Sequence, residues 1–283
     1  MPRGSSMTDS NMQKYRKLQL IQLDILKYFD EIAKKNNIPY FLAFGTLLGA
    51  IRNNGFIPWD LDIDITMMRD DYEKIIKIIK DDDDPNFFIS IPGEKRHMSP
   101  HALIYCRNTK FENEFHEFNR NRKVHQEVYI DIFPIDKLPK DLKLRKKQAN
   151  KITKIKQRIF KRSPIYYRSN KLYKFLKKIR SLFYIFPSNE KLHLKIDNEM
   201  KKYNSTDSKD LGQLASPYLE SLVLKREDYF PPSQYMFEGV SVLIPNNYKK
   251  FLELCYGDYL RLPSQEKIES YFKLKIRAVD NRK

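Results

Sequence analysis

Apolar side chains recur at helical spacing in residues 17–36, and Pro39 ends this pattern. Residues 40–44 then have the character of a short strand that stops at Gly45, and the residues from 46 to 51 form the start of a second helix. This order predicts a strand that runs into a glycine turn and a helix N-terminus. Such a backbone geometry suits the binding of a phosphate group.

The segment 60–66 alternates strictly between polar and apolar residues. Alternation of period two predicts a β-strand in which Asp60, Asp62 and Asp64 share one face. Three neighbouring carboxylates repel one another, and a hard divalent cation relieves that repulsion because it prefers oxygen ligands. The pattern therefore points to a metal site, although a bare Asp-x-Asp pair is weak on its own.

A helix is predicted to follow, with Asp70 or Asp71 as its N-cap, and a run of four aspartates at 81–84 comes after it. Adjacent carboxylates can bind a metal, but a charge run that directly follows a helix is more typical of a solvated loop. We expect the loop.

Further elements alternate along the chain, which predicts a mixed sheet flanked by helices and a fold of the α/β or α+β class. Strands are expected at residues 87–91, 102–106 and 128–133, and helices at residues 191–203 and 247–256, the last ended by Gly257 in a left-handed conformation.

Basic residues outnumber acidic ones by 53 to 36, a formal charge of +17 that favours an anionic partner. Residues 142–189 contain no Asp or Glu, and apolar residues between 171 and 186 fall on one helical face. Such a helix either packs on the body of the protein or lies in a membrane interface.

No run of residues is long and apolar enough to span a bilayer. The two cysteines, Cys106 and Cys255, have no metal-ligand spacing.

These features divide the chain into a catalytic core at 7–141, a basic amphipathic helical insertion at 142–189 and a C-terminal helical part at 190–283 that completes the core. The expected location is the cytoplasm, peripheral at the inner face of the cell membrane.

Gly45 and Thr46 lie shortly before the Asp-x-Asp pair, and this combination is the nucleotidyltransferase pattern. Two-metal phosphoryl chemistry commonly uses a further carboxylate from a neighbouring strand, and Asp131 is a single acid in an apolar strand. Asp62, Asp64 and Asp131 are therefore the candidate metal ligands and catalytic residues, with Mg²⁺ or Mn²⁺ as the cofactor. The five histidines have no ligand spacing, and no role is assigned to them.

Residues 45–65, which read GTLLGAIRNNGFIPWDLDIDI, closely resemble the signature of the LicD family. Residues 129–136 (YIDIFPID), 242–245 (VLIP) and 254–263 (LCYGDYLRLP) resemble further segments of the same family. One departure is Leu61, where the family usually has an aspartate. Since Leu61 is expected on the opposite face from Asp62 and Asp64, the metal site should survive it.

The resemblance implies a nucleotidyltransferase-type fold and transfer of phosphocholine, or a related phospho-alcohol or phospho-sugar group, from a CDP-activated donor. The implied acceptor is a cell-surface glycan or its lipid-linked precursor, of the teichoic acid, lipopolysaccharide or capsule type. Carried over to this chain, it makes Gly45, Thr46 and Arg52 the contacts to the donor phosphates. It also makes Asp131 the third carboxylate of the metal site. The general base would be Asp131 or another metal ligand.

Three alternatives remain open on the residues alone. Glycerol, ribitol or sugar phosphate could replace phosphocholine as the transferred group. The same carboxylates could serve nucleotidyl transfer onto nucleic acid, which the apolar face within 171–186 disfavours. A binding module without catalysis would leave the row of acids after the glycine–threonine turn unexplained.

The roles of two single residues are also open. Arg52 could be a surface cation instead of a phosphate clamp, and Trp59 is expected to pack under the loop.

Overall fold

Helix α1 (Ser5–Lys35) packs along the central sheet and begins twelve residues before the hydrophobic pattern that predicts it. The computed structural model describes residues 5–97, 99–113, 124–161, 188–272 and 276–282. The buried face of α1 contains Leu18, Ile25 and Phe29, which have no solvent exposure. The polar first turns of α1 carry no apolar stripe, so periodicity could not locate its start.

Seven strands form the central sheet, in the order β1-β2-β6-β4-β3, with β7 and β8 continuing from the end of β6. Only β2 and β6 are a parallel pair among these described strands; the other pairs are antiparallel. The bounds are β1 (Phe41–Leu42), β2 (Asp64–Met68), β3 (Phe87–Ser90), β4 (Ala102–Cys106), β6 (Val128–Lys137), β7 (Asp210–Gly212) and β8 (Val223–Lys225). A mixed sheet flanked by helices confirms the expected fold class.

Two small antiparallel pairs complete the strands. The first joins β5 (Thr109–Asn113) to β11 (Ile276–Asp280), and the second is the hairpin of β9 (Ser233–Phe237) and β10 (Val240–Ile244). None of β5 and β7–β11 was predicted from the sequence, because these segments show little alternation of apolar and polar residues. The C-terminal part therefore contributes strands as well as the helices expected of it.

The remaining helices cover both the middle and the end of the chain. They are α2 (Phe44–Asn53), α3 (Arg69–Asp81), α4 (Leu142–Lys161), α5 (Asn189–Met200) with a 3₁₀ turn (Lys201–Tyr203), α6 (Arg226–Tyr229), α7 (Tyr248–Tyr256) and α8 (Gln265–Phe272). Among the described residues, no helix has the length and apolarity to cross a membrane. The amphipathic segment expected at 171–186 lies outside the described residues.

Two local predictions need correction. The strand expected at 60–66 begins at Asp64, because residues 60–62 make no ladder bonds and the first bond to β6 runs from the Asp131 N–H to the Ile63 carbonyl. Helix α3 begins at Arg69 without a side-chain cap, so Asp70 and Asp71 lie in its first turn. There they interact favourably with the helix dipole instead of capping it.

A buried ion pair ties α3 to the sheet and to α5. The Arg69 guanidinium donates to both oxygens of Asp136 on β6, at 2.8 and 2.6 Å, and to Asp197 on α5 at 2.9 Å. The Asp136 side chain has no solvent exposure and also accepts a hydrogen bond from Asn204. Asp136 is thus a structural member of the segment 129–136.

Candidate active site

Asp64 and Asp131 lie side by side because β2 and β6 are parallel neighbours in which these two residues are register partners. Asp62 lies two residues before Asp64, directly ahead of β2. One carboxylate oxygen from each of the three residues lies within 4.8 Å of the others. Asp62, Asp64 and Asp131, called the acid triad below, form the single cluster of this kind among the described residues.

The electrostatics of the acid triad fit a divalent cation. Burial, followed by the charge of Asp131, raises the pKa of Asp62 to about 6. Burial raises the pKa of Asp131 to about 7, and burial together with the neighbouring carboxylates raises that of Asp64 well above its ordinary value. The pKa values are raised because no nearby positive charge stabilises the three ionised carboxylates. A divalent cation would supply that charge, and Mg²⁺ or Mn²⁺ prefers oxygen ligands of this kind.

A fourth acid, Asp60, lies beside the first turn of α2. A Cβ atom on Gly45 would come within 2.4 Å of Asp60 Oδ2, so position 45 has no space for a side chain. Burial, with the adjacent charge of Asp62, raises the pKa of Asp60 well above its ordinary value. Gly45 therefore allows the start of α2 to approach the acids closely.

Thr46 supports the acid triad from α2. Its buried hydroxyl oxygen accepts the Asp64 backbone N–H at 2.9 Å, which fixes the start of β2 against the helix. The hydroxyl hydrogen is still available as a donor. The predicted contact between Thr46 and a donor phosphate stays a prediction, and this hydroxyl has a supporting role that the sequence did not indicate.

Two buried glutamines of α1 hold the segment that carries the acids. Gln19 Nε2 donates to the Ile57 and Asp60 carbonyls at 3.2 and 3.1 Å, and Gln22 Nε2 donates to the Leu61 carbonyl at 2.8 Å and the Tyr129 carbonyl at 3.2 Å. The segment 60–62 has no strand partner, so these bonds replace the missing ladder. The signal in the sequence was two glutamines on the apolar face of a helix.

His101 contacts the acid triad directly, although the sequence analysis assigned no role to it. Its Nε2 lies 2.6 Å from Asp131 Oδ1, its ring packs on Phe133, and its Nδ1 lies 3.0 Å from Ser99 Oγ. Burial, then the charge of Lys156, lowers the pKa of His101 to about 3, so the imidazole is neutral. A neutral ring can donate its Nε2–H to the ionised Asp131 carboxylate, and Ser99 Oγ lies 2.9 Å from Nε2 as well as 3.0 Å from Nδ1.

Lys156 brings a half-buried cation from α4 to the vicinity of His101. Its Nζ donates to the carbonyls of residues 214, 215 and 216 at 3.3, 2.8 and 3.3 Å, and burial lowers its pKa to about 8. Helix α4 therefore belongs to the packed body of the protein, and the described part of the basic insertion (142–161) is anchored near the site.

A pocket of about 720 Å³ opens beside the acid triad. Gly45, Asp60 and Asp62 line one part of it, and Arg52 and Trp59 also line it. Trp59 was expected only to pack under the loop; its ring does lie parallel to that of Tyr271, at 6.0 Å between centroids, but it also forms part of the pocket wall.

The acid run 81–84 forms the end of α3 and the following turn, as expected of a loop. Asp84 Oδ1 accepts the backbone N–H groups of Asn86 and Phe87, and Asp82 accepts the Tyr28 hydroxyl. Asp81 and Asp83 are exposed. This run lies outside the acid triad.

Comparison with known proteins matches residues 37–149 to a family model described as the LicD/FKTN/FKRP nucleotidyltransferase domain. The chain is 28% identical over 259 residues to the lipopolysaccharide cholinephosphotransferase LicD of Haemophilus influenzae, which covers 89% of this chain and 93% of that protein. It is also 29% identical over 137 residues to an uncharacterized protein of Rickettsia prowazekii, 47% of either chain. The matched domain contains the whole acid triad, Gly45, Thr46 and Arg52.

Proposed function

Since this chain carries a nucleotidyltransferase domain of the LicD family, we propose that it is a metal-dependent transferase of phosphocholine from a CDP-activated donor to a glycan. The observation that carries the proposal is the acid triad, with raised pKa values, at the edge of a pocket that also contains Arg52. The acceptor we favour is a lipopolysaccharide-type glycan or its lipid-linked precursor, because that is the acceptor class in the name of the Haemophilus relative.

In this proposal the acid triad holds Mg²⁺ or Mn²⁺. A divalent cation held there supplies positive charge against the developing negative charge of the donor diphosphate. Arg52 adds a planar fork of N–H donors to the phosphate oxygens, and the amides of the first turn of α2 at Gly45 and Thr46 add uncharged donors.

The transfer forms a bond from the acceptor hydroxyl oxygen to the phosphorus that bears choline and breaks the bond from that phosphorus to the CMP oxygen. The hydroxyl proton needs an acceptor in the site. We assign it to Asp131, because its carboxylate lies beside those of Asp62 and Asp64 and therefore next to the donor diphosphate. His101 holds Asp131 in place through the 2.6 Å contact between Nε2 and Oδ1.

We test the donor by thermal unfolding with CDP-choline, CDP-glycerol and CDP-ribitol, each with and without Mg²⁺. The expected result is metal-dependent stabilisation by CDP-choline that D62N and D64N abolish and that the exposed control D83N retains. Release of CMP in the presence of a glycan acceptor then measures transfer. Stabilisation by nucleoside triphosphates or RNA, and by no CDP donor, would contradict the proposal. Stabilisation by CDP-glycerol or CDP-ribitol alone would reassign the transferred group.

We also propose that the protein works at the cytoplasmic face of an anionic membrane, where a lipid-linked acceptor is found. An exposed face of α4 supports this, because Lys143, Lys146, Lys147 and Lys154 lie along it without ion pairs to other described residues. Vesicles of anionic lipid should bind the wild type, and replacement of these four lysines by glutamine should weaken binding by more than replacement of four lysines elsewhere on the surface. Binding that is equal on neutral vesicles would refute a role for the lysines.

A further inference from the structure

The pocket beside the acid triad contains a second arginine, Arg261, in the loop between α7 and α8. Arg261 is not part of the donor contacts assigned above. Neither Arg52 nor Arg261 has an ion pair or a side-chain hydrogen bond to another described residue. Asp60, Asp62 and Asp258 line the same pocket, but neither guanidinium group is paired with them, so both groups have N–H donors available for a bound anion.

The two guanidinium groups distinguish between the two halves of a CDP-alcohol donor. Unpaired guanidinium groups attract a phosphate and repel a trimethylammonium group of the same sign. A choline cage would require aromatic faces without competing cations. The side of the site that contains Arg52 and Arg261 therefore fits the nucleotide half of the donor better than the choline half.

The apolar part of the wall suits a planar base. Trp59, Tyr256 and Tyr271 line the pocket together with Arg261, and Asp62 of the acid triad lines it as well. A nucleoside diphosphate therefore finds aromatic side chains, guanidinium groups and the metal-binding carboxylates in one continuous cavity. The volume of about 720 Å³ lies within the range of cavities that hold ligands of this size.

We infer that this cavity, the guanidinium pocket, binds the nucleoside diphosphate half of the donor, with Arg261 as a second phosphate-binding residue beside Arg52 and Trp59 in contact with the nucleotide. The inference rests on the proposed function and assigns the two halves of the donor to different sides of the acid triad. It also makes Arg261 a determinant of donor recognition.

Trp59 makes a direct test available, because it is the only tryptophan in the chain. Its emission is recorded while CDP, CMP or phosphocholine is added in the presence of Mg²⁺, with free tryptophan as the reference for light absorbed by the nucleotide. CDP and CMP should quench the emission to saturation, and phosphocholine should leave it unchanged. Saturable quenching by phosphocholine but not by CDP would overturn the inference, since the cavity would then hold the other half of the donor.

Variants of Arg261 test the phosphate contact. R261Q should weaken CDP binding by about tenfold or more, the usual effect of losing a charge-assisted hydrogen bond. R261K should restore part of the loss, because lysine keeps the charge without the planar fork. The control R277Q removes an exposed arginine on β11 and should bind CDP as the wild type does. Equal affinity of R261Q and wild type would remove Arg261 from the site.

Failure of the inference can be told apart from failure of the proposed function. Transfer of phosphocholine from CDP-choline with an unchanged KM in R261Q would overturn the inference and leave the function in place. The opposite result is also possible: CDP quenches Trp59 to saturation and R261Q weakens this binding, but no phosphocholine is transferred to any glycan. That result would overturn the proposed function and leave the pocket assignment in place. Absence of CDP binding by calorimetry would overturn both.

Discussion

Replacement of His101 tests whether this residue positions Asp131 for the metal. The Asp131 carboxylate has two oxygens, and the contact of His101 Nε2 with Oδ1 occupies one of them. H101L removes the donor and leaves the carboxylate free to rotate. H101Q keeps an N–H donor near the position of Nε2 and should behave like the wild type.

The expected loss follows from burial at the contact. The His101 and Asp131 side chains are only 10% and 15% exposed, so water has little access to replace the lost donor. Removing the hydrogen-bond partner of a metal ligand usually lowers metal affinity by about 10- to 100-fold, equivalent to about 1.4–2.7 kcal/mol. We expect a value in that range for H101L and less than about threefold for H101Q.

Isothermal titration with Mn²⁺ or Mg²⁺, without donor or acceptor, measures this affinity independently of catalysis. Denaturant unfolding in chelator shows whether each variant retains the wild-type fold. A positioning role for His101 is refuted if folded H101L binds the metal as tightly as the wild type, or if H101Q loses as much affinity as H101L. Either result would show that His101 only fills space beside the site.

Three other changes give equally specific expectations. G45A introduces a Cβ atom at 2.4 Å from Asp60 Oδ2, so overpacking of about 1–3 kcal/mol should exceed the gain in helix propensity and lower both stability and donor binding; urea unfolding and donor titration check this. D136N removes the buried carboxylate that accepts two hydrogen bonds from Arg69 and leaves Asp197 as its remaining close acidic partner, so the free energy of unfolding should fall by about 3 kcal/mol. The folded fraction should keep its metal affinity, and a larger effect on metal affinity than on stability would contradict the structural role. Burial, with the charges of neighbouring histidines, lowers the pKa of His193 from 6.5 to about 4, so the unfolded chain binds the proton first and stability falls as the pH drops from about 6.5 to 4. H193L lacks this proton uptake, so the wild type should lose about 3 kcal/mol of stability relative to H193L between neutral pH and pH 4. The measurement is the difference between the two proteins in the free energy of unfolding at each pH. The difference is needed because the raised pKa values of the acid triad stabilise the folded state over the same pH range.

The local pattern of the sequence predicted the residues that come together in the acid triad. Asp62 and Asp64 follow from period-two alternation, and Asp131 from its position as a single acid in an apolar strand. Alternation predicts which side chains share a face, and this does not depend on the residue at which the strand begins. Asp62 and Asp64 therefore lie together although the strand begins at Asp64 and not at residue 60.

The supporting residues could not be predicted in the same way, because they depend on which elements are neighbours. His101 precedes β4, and it reaches Asp131 because β4 pairs with β6. Gln22 reaches the acid segment because α1 crosses the same sheet. Sheet order arises from contacts between residues far apart in the chain, and a hydrophobic period within one element carries no information about them.

The parallel pairing of β2 with β6 makes the proposed metal binding a reporter of correct folding. A slip of β6 by one residue would place Ile130 or Ile132 opposite Asp64, and the acid triad would lose Asp131 to the other face of the sheet. Misregistered or partly folded chains would then have no site for the cation, whereas native chains would gain stability with each increase in its free concentration. The stoichiometry of a calorimetric titration with the cation would thus give the fraction of native molecules in a preparation before any substrate is supplied.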